Sequence, residues 1–198
     1  MATAAGKWIG TAMLVIDMQN DFILPSSPTH VAGGLAIVPA VIRAVSVARD
    51  RGISVIWVVR EHDPYGRDVE LFRRHAYVNG KGPVTRGLKG AELVEGLSAE
   101  EGEYKLVKTR FSAFFGTHLN SLLQSSGIKS LVVVGVQTPN CIRQTVFDAV
   151  ASDYLPVTVI VDATAAATTK IHSANIHDMH NIGVSTPTLE EWCSEPDA

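Results

Sequence analysis

Runs of consecutive apolar residues alternate along this chain with stretches whose apolar positions recur every three or four residues. The first run, 12–17 (AMLVID), is apolar up to a terminal carboxylate. Two others, 53–59 (ISVIWVV) and 130–136 (SLVVVGV), show no polar alternation, as expected of strands covered on both faces. Shorter runs at 104–108, 157–161 and 184–186 bring the predicted strands to six. Helical spacing marks 35–51, 113–125, 139–152 and 170–181, with Gly52, Gly127 and Gly183 placed to end three of these helices. Residues 60–102 are rich in charge and glycine, and only single helical turns are expected there, around 68–74 and 91–97.

The pattern predicts an α/β, doubly wound three-layer fold, Rossmann-like, with a six-stranded mainly parallel sheet. Neither a repeat nor a linker interrupts it, so 1–198 reads as one domain with a core over about 10–190. Ligands of such sheets bind outside the carboxyl ends of the strands. Attention therefore falls on Asp17, Arg60 to Asp63, Lys108 to Arg110, 136–141 and Asp162.

Composition narrows the picture. Apolar residues make up 46% and charged residues 19%, a globular balance. A net charge of −3 gives no basic face for nucleic acid. No apolar run is long enough to span a bilayer, and residues 1–10 lack the apolar stretch of a secretory signal. The expectation is a cytoplasmic protein with no membrane partner. The two cysteines, Cys141 and Cys193, are not a disulfide framework. Cys193 lies in a polar tail where no function is expected.

Cys141 stands in the segment GVQTPNC, 135–141, where a buried strand turns directly into a helix. Thr138 is a suitable N-cap and Pro139 a suitable first helical residue. Cys141 then falls in the first turn, where free N–H groups and the helix dipole favour a thiolate and could hold an oxyanion. The bland alternative is a small residue packing helix against sheet. Asp17, at the end of an apolar strand, is the best-placed proton acceptor, although it could simply cap the next loop. Lys108 ends another strand and could neutralise Asp17 and ease ionisation of the thiol; alone it reads as a solvated edge lysine.

Three motifs, VIDMQNDF at 15–22, KTRFSAF at 108–114 and GVQTPNC at 135–141, occur in this order at strand ends. With them the chain resembles the isochorismatase-like cysteine hydrolases, which include nicotinamidases, N-carbamoylsarcosine amidase, and biuret and ureidoacrylate amidohydrolases. The resemblance runs from about 12 to 190. It implies a catalytic group of Asp17, Lys108 and Cys141, an oxyanion hole from the N–H groups of Gln137 and Cys141, and a cis peptide at Val136–Gln137. It also implies attack on a small amide or ureido compound through a thioester, and self-association as a dimer or tetramer.

Nicotinamidases of that family carry a D-x-H-P metal motif after the second strand. Alignment on Pro64 puts Glu61 and Asp63 at its Asp and His and leaves His62 out of step, so the expectation is no metal, no cofactor, and no nicotinamidase reaction. The 61–90 region should wall the substrate, and its excess of Arg and Lys suggests an anionic one; a solvated charged loop is the alternative. Substrate-binding candidates are Phe22, Arg60, His62, Arg110, Phe111, Phe114 and Thr138. His172, His177 and His180 lack metal-ligand spacing and read as surface or packing residues. No phosphate-binding loop is present. Two other readings stand beside the hydrolase: a catalytically inactive nicotinamidase-like protein with a binding role, and a thiol redox protein, for which no resolving cysteine lies near.

Overall fold

The computed structural model describes residues 6–27 and 29–197, so part of the N-terminal segment judged to lack a secretory signal lies outside the described residues. Five parallel strands form one sheet in the order β3-β2-β1-β4-β5. They are β1 (Thr11–Ile16), β2 (Ser54–Arg60), β3 (Tyr104–Lys108), β4 (Ser130–Val136) and β5 (Val157–Ala165). β1 and β4 are buried almost without interruption, as their unbroken apolar sequences require. No helix among the described residues is long and apolar enough to cross a membrane.

The sixth strand expected at 184–186 is reduced to a single parallel bridge, Ser185 to Thr158. The amide of Ser185 donates to the Val157 carbonyl at 2.9 Å, and Val159 and Val161 donate to the carbonyls of Ser185 and Pro187 at 2.8 and 2.9 Å. Pro187, which has no N–H, stops the ladder. β5 runs to Ala165, beyond the expected end at 161. Asp162, expected as a structural hydrogen-bonding residue, thus lies within the strand and accepts from the Leu189 amide at 2.6 Å.

The helices are α1 (Asn20–Ile23), α2 (Gly34–Asp50), α3 (Leu119–Ser125), α4 (Arg143–Ala151), α5 (Thr169–Asn181) and α6 (Leu189–Ser194). Val41, Ala44, Val45 and Ala48 of α2 face one side of the sheet, where α6 contributes Leu189 and Trp192. α3, α4 and α5 cover the other side with Leu119, Leu123, Val146, Ala149 and Met179. The layers are those expected. α3 begins six residues later than the 113–125 reading, because 112–117 is a series of turns: Ser112 Oγ accepts from the Phe114 amide at 3.1 Å, and Gly116 takes φ 67°. α6 is an element the hydrophobic pattern missed. Its signal was the capping box Thr188 to Glu191, which closes both reciprocal bonds.

Strand order reverses between β1 and β4, so the crevice at their carboxyl ends is the switch point of the sheet. Gly135 permits this approach. It has φ 114°, and a Cβ there would lie 2.1 Å from the Ile16 carbonyl oxygen. Over the crevice lies the excursion 61–90, which has two short 3-10 turns, Leu71–Ala76 and Lys89–Ala91, in place of the turns expected at 68–74 and 91–97. The VIDMQNDF motif fastens its ends. Gln19 donates to the carbonyls of Arg60 and Ala91 at 2.7 and 2.8 Å and accepts from the Arg60 amide at 2.8 Å. Asn20 donates to Lys89 O at 2.8 Å, and Asp21 accepts from the Val84 amide at 2.7 Å.

Candidate active site

Asp17 follows β1 with φ 53°, a conformation uncommon for a residue with a side chain. Its amide donates to Val58 O at 2.8 Å, which fixes the residue at the crevice. Lys108 ends β3 with its side chain fully buried, and its Nζ donates to Asp17 Oδ2 at 2.8 Å and to Arg110 O at 3.2 Å. The other carboxylate oxygen, Asp17 Oδ1, is buried and has no hydrogen-bond partner among the described residues. It is positioned to take a proton.

β4 leads through a cis Val136–Gln137 peptide into a wide turn over Thr138–Ile142 and then α4. The turn is of the π type: the Ile142 amide reaches back five residues to Gln137 O at 3.3 Å, beside that of Asn140 at 3.1 Å. Thr138 therefore lies inside the turn and does not cap it. Its hydroxyl pairs with His172 Nδ1 at 2.8 Å, and it is fully buried, so it is not part of the substrate wall expected of it. Cys141 keeps its expected place at the start of the helix, 5% exposed. The expectation of a resting thiolate is corrected. Burial and the negative charge of Asp17 push the Cys141 thiol up, and Lys108 and Arg60 only partly offset this.

A narrow cavity of about 10 Å³ is lined by Asp17, Phe22, Arg60, Arg73, Gln137, Asn140 and Cys141 together with two valines. That is room for about one water molecule. A wider concavity of about 430 Å³ between Gly52–Ile56 and 100–104 lies at the opposite, amino ends of β2 and β3. The narrow cavity is the candidate site, because it joins a thiol, a carboxylate oxygen without a partner among the described residues and two guanidinium groups at the switch point.

Arg60 ends β2 only 1% exposed. It donates to both oxygens of Glu70, at 3.0 and 3.2 Å, and to Cys141 Sγ at 3.9 Å, and its Nε is 3.9 Å from Asp17 Oδ2. Burial would lower its pKa, but the acidic groups around it, Cys141, Asp17 and Glu70, raise it, so it stays a cation. The Phe111 ring lies beneath its guanidinium at 5.2 Å. His62 stands behind Arg60: its Nε2 accepts from Arg60 at 3.4 Å, and its Nδ1 pairs with Asp68 at 3.2 Å. Burial and the Arg60 charge lower the His62 pKa, which keeps this imidazole neutral.

Of the seven expected substrate-binding residues, Phe22 and Arg60 line the cavity, and Phe111 lies under Arg60. His62 and Arg110 form an outer layer, Arg110 bonding to the carbonyls of Asp68 and Thr109. Phe114 does not line the cavity: half-buried, it packs on Tyr154 at 5.8 Å beside the core, the alternative open to it from the sequence. Glu70, Arg73 and Asn140 belong to the site and were not singled out. Asn140 was accessible in principle, being one residue before Cys141. The others sit in an aperiodic loop whose pairing with Arg60 leaves no mark in sequence.

Glu61, His62 and Asp63 do not converge. Glu61 pairs with Lys105 and Arg86, His62 with Asp68, and Asp63 with Arg67. No group of three or more metal-ligating side chains is present among the described residues. The donor set does not fit the metal centre of a nicotinamidase, and no step is drawn through one.

These features place a buried thiol, a carboxylate and three cations at the switch point of a doubly wound sheet, and the comparisons identify the family of that fold. Residues 11–191 match the Isochorismatase domain. The chain belongs to the isochorismatase family, which is hydrolytic. It is 68% identical over 193 residues, 96% of this chain and 98% of the relative, to a probable inactive nicotinamidase of Arabidopsis thaliana. It is 34% identical over 176 residues, 79% of this chain and 77% of the relative, to the ureidoacrylate amidohydrolase RutB of Caulobacter vibrioides. An isochorismatase family protein from Desulfovibrio vulgaris superposes with a TM-score of 0.91 at 44% identity, covering 92% of this chain and 96% of that one.

Proposed function

We propose that the protein hydrolyses a C–N bond of a small amide or ureido compound through a Cys141 thioester, without a metal or organic cofactor. One observation carries this reading: Asp17, Lys108 and Cys141, ending three different strands or starting the helix beyond one, meet in a single buried cluster with Asp17 Oδ1 unpartnered. A buried carboxylate oxygen without a partner is costly, and a general base next to a thiol accounts for it.

In the proposed cycle the Cys141 proton passes to Asp17 as Sγ bonds to the substrate carbonyl carbon. The N–H groups of Gln137 and Cys141 hold the oxyanion. The C–N bond breaks as Asp17 returns the proton to the leaving nitrogen, leaving a thioester and ammonia or an amine. Asp17 then deprotonates water, which attacks the thioester, and the proton returns to sulfur as the acid is released. Lys108 stabilises the charge on Asp17, and Arg60, near Sγ, stabilises the thiolate as it forms.

The elevated thiol pKa gives this scheme a signed consequence. Alkylation of Cys141 by iodoacetamide should increase with pH. Asp17→Asn removes the charge that raises the pKa and should move the midpoint down, whereas Lys108→Met should move it up. The deciding assay is ammonia release from a panel of amides and ureido acids by native protein and by Cys141→Ala. The variant should lose activity by about 10⁴-fold or more with its melting temperature retained. Turnover should withstand chelators, and nicotinamide should not be a substrate.

A second reading, a catalytically silent protein that keeps the pocket for binding, is favoured by the description of the Arabidopsis relative as a probable inactive nicotinamidase and by the narrowness of the cavity. No turnover across the panel, with ordinary iodoacetamide reactivity, selects it. Under either reading the protein acts in the cytoplasm as a dimer or tetramer, which light scattering checks.

A further inference from the structure

The excursion 61–90 is basic, but most of its cations are already committed. Arg67 pairs with Asp63, Arg86 with Glu61, and Arg60 with Glu70 and Asp17. Arg74, Lys81 and Lys89 point to solvent. Arg73 differs from all of these. It lines the Cys141 cavity, yet its guanidinium donates no hydrogen bond among the described residues. Its Nε is buried and lies 3.3 Å from Glu70 Oε2 as an ionic contact only. The group is held by ring faces, Phe72 at 5.0 Å and Phe111 at 5.5 Å, which orient a cation without using its N–H groups.

The charges agree with this. With the thiol protonated, the carboxylates of Asp17 and Glu70 face the cations of Lys108, Arg60 and Arg73, so the cluster has one positive charge more than negative. Arg60 commits its terminal nitrogens to Glu70, His62 and Cys141, and Lys108 is held by Asp17. The surplus sits on Arg73, whose guanidinium donates no hydrogen bond among the described residues.

We infer that Arg73 is the specificity residue of this site and that it takes the carboxylate of an anionic substrate, an amide or ureido acid whose carbonyl then faces Cys141. This rests on the hydrolase reading for the second half of the statement; the binding half stands without it. A guanidinium presents paired donors to a carboxylate, a geometry that an amide or ester cannot match. The turn Leu71–Ala76 that carries Arg73 buries no side chain of its own, and its fastenings are the Arg60–Glu70 pair and the stack of Phe72 on Phe111. Entry of a substrate into a cavity of about 10 Å³ requires this turn to swing out, and its return brings Arg73 onto the bound anion.

The test separates binding from turnover. In the Cys141→Ala background, calorimetry would compare carboxylates of increasing chain length, such as succinamate and 3-ureidopropionate, with their neutral amides, succinamide and 3-ureidopropionamide. The expected result is preference for at least one carboxylate over its neutral partner. Arg73→Met should weaken that carboxylate by about 10-fold or more and leave the neutral compound unchanged, with Arg73→Lys in between. In native protein the same substitution should raise KM for the anion more than it lowers kcat. Unchanged melting temperature in both variants guards against misfolding. The inference is overturned if no carboxylate is preferred, or if Arg73→Met weakens acid and amide equally. Selective binding lost in Arg73→Met, with no turnover by native protein, would sink the hydrolase reading alone. Turnover of a carboxylate substrate with a KM untouched by Arg73→Met would sink the Arg73 assignment alone.

Discussion

Asp17, Lys108 and Cys141 stand at the ends of buried parallel strands, held by backbone ladders and close packing. Glu70 and Arg73 face them from an excursion fastened mainly by side chains, with one bidentate ion pair, stacked rings and the contacts of Gln19, Asn20 and Asp21, and closed at its base by the backbone bonds of His62 with Val84 and Arg86. On the proposed function, the half that carries Asp17, Lys108 and Cys141 is rigid before a substrate arrives, which suits a nucleophile and base that must keep their spacing. The covering half would then open at the cost of a few contacts, which suits substrate selection. The proposed chemistry and specificity fall on parts of different stability.

The strongest way to break this contrast is at the backbone of the rigid half. Gly135→Ala puts a methyl group 2.1 Å from the Ile16 carbonyl oxygen, at a φ of 114° that an L-residue avoids. The neighbour is backbone of an adjacent strand and cannot rotate away. The expected loss is about 4 kcal/mol or more, read as a lower urea midpoint at constant slope. A midpoint close to that of native protein would mean that β1 and β4 can separate, and the rigidity attributed to the crevice would be lost.

Glu70→Gln addresses the other half. It leaves Arg60 buried with only Asp17 near it, although the new amide oxygen can still accept one bond. Breaking a buried pair costs up to about 3–5 kcal/mol, and the remaining bond and the partial exposure of Glu70 reduce this to about 2 kcal/mol. The opening should be local. Limited proteolysis should cut within 65–88 faster, while the global unfolding midpoint moves less than for Gly135→Ala. Equal changes in both would show that the excursion and the sheet unfold as one unit.

The same contrast decides what the sequence made legible. Asp17 could be found because it ends an apolar run, where a charge needs a reason; Lys108 follows the mixed run 104–107 and was picked out only together with Asp17, Cys141 and the KTRFSAF motif. Cys141 could be found because a strand, a proline and a helix leave it one position. The mechanism of the Thr138 assignment failed although the position was right: a wide turn drew Thr138 inside, and its hydroxyl turned to His172. The sixth strand was over-read because three residues of strand composition carry no information about Pro187 ending their ladder. Arg60 was legible as a strand-end residue and a substrate-wall candidate, Arg73 only as part of a basic stretch, and Glu70 not at all. Ion pairs between residues ten apart in an aperiodic loop produce no periodicity, and burial of Arg60 follows from the sheet end beneath it.

The smallest expected effect sharpens the comparison through acid. The pKa of His62 is lowered in the folded protein by burial and then by Arg60, so folding favours its neutral form. The stabilisation this gives is complete above the unfolded value of about 6.5 and is lost as pH falls toward the folded value, because the unfolded chain binds the proton first. His172, lowered by burial, contributes in the same direction but stands by the catalytic turn. Stability should therefore fall gradually on acidification below about pH 6.5, before the carboxylates titrate. If the excursion opens separately, His62→Gln should flatten the acid dependence of proteolysis within 65–88 while leaving the part of global stability that depends on His172. His172→Gln should do the reverse. Should both substitutions flatten both measurements, the two histidines report one cooperative unit, and the excursion would have to be counted with the sheet that it covers.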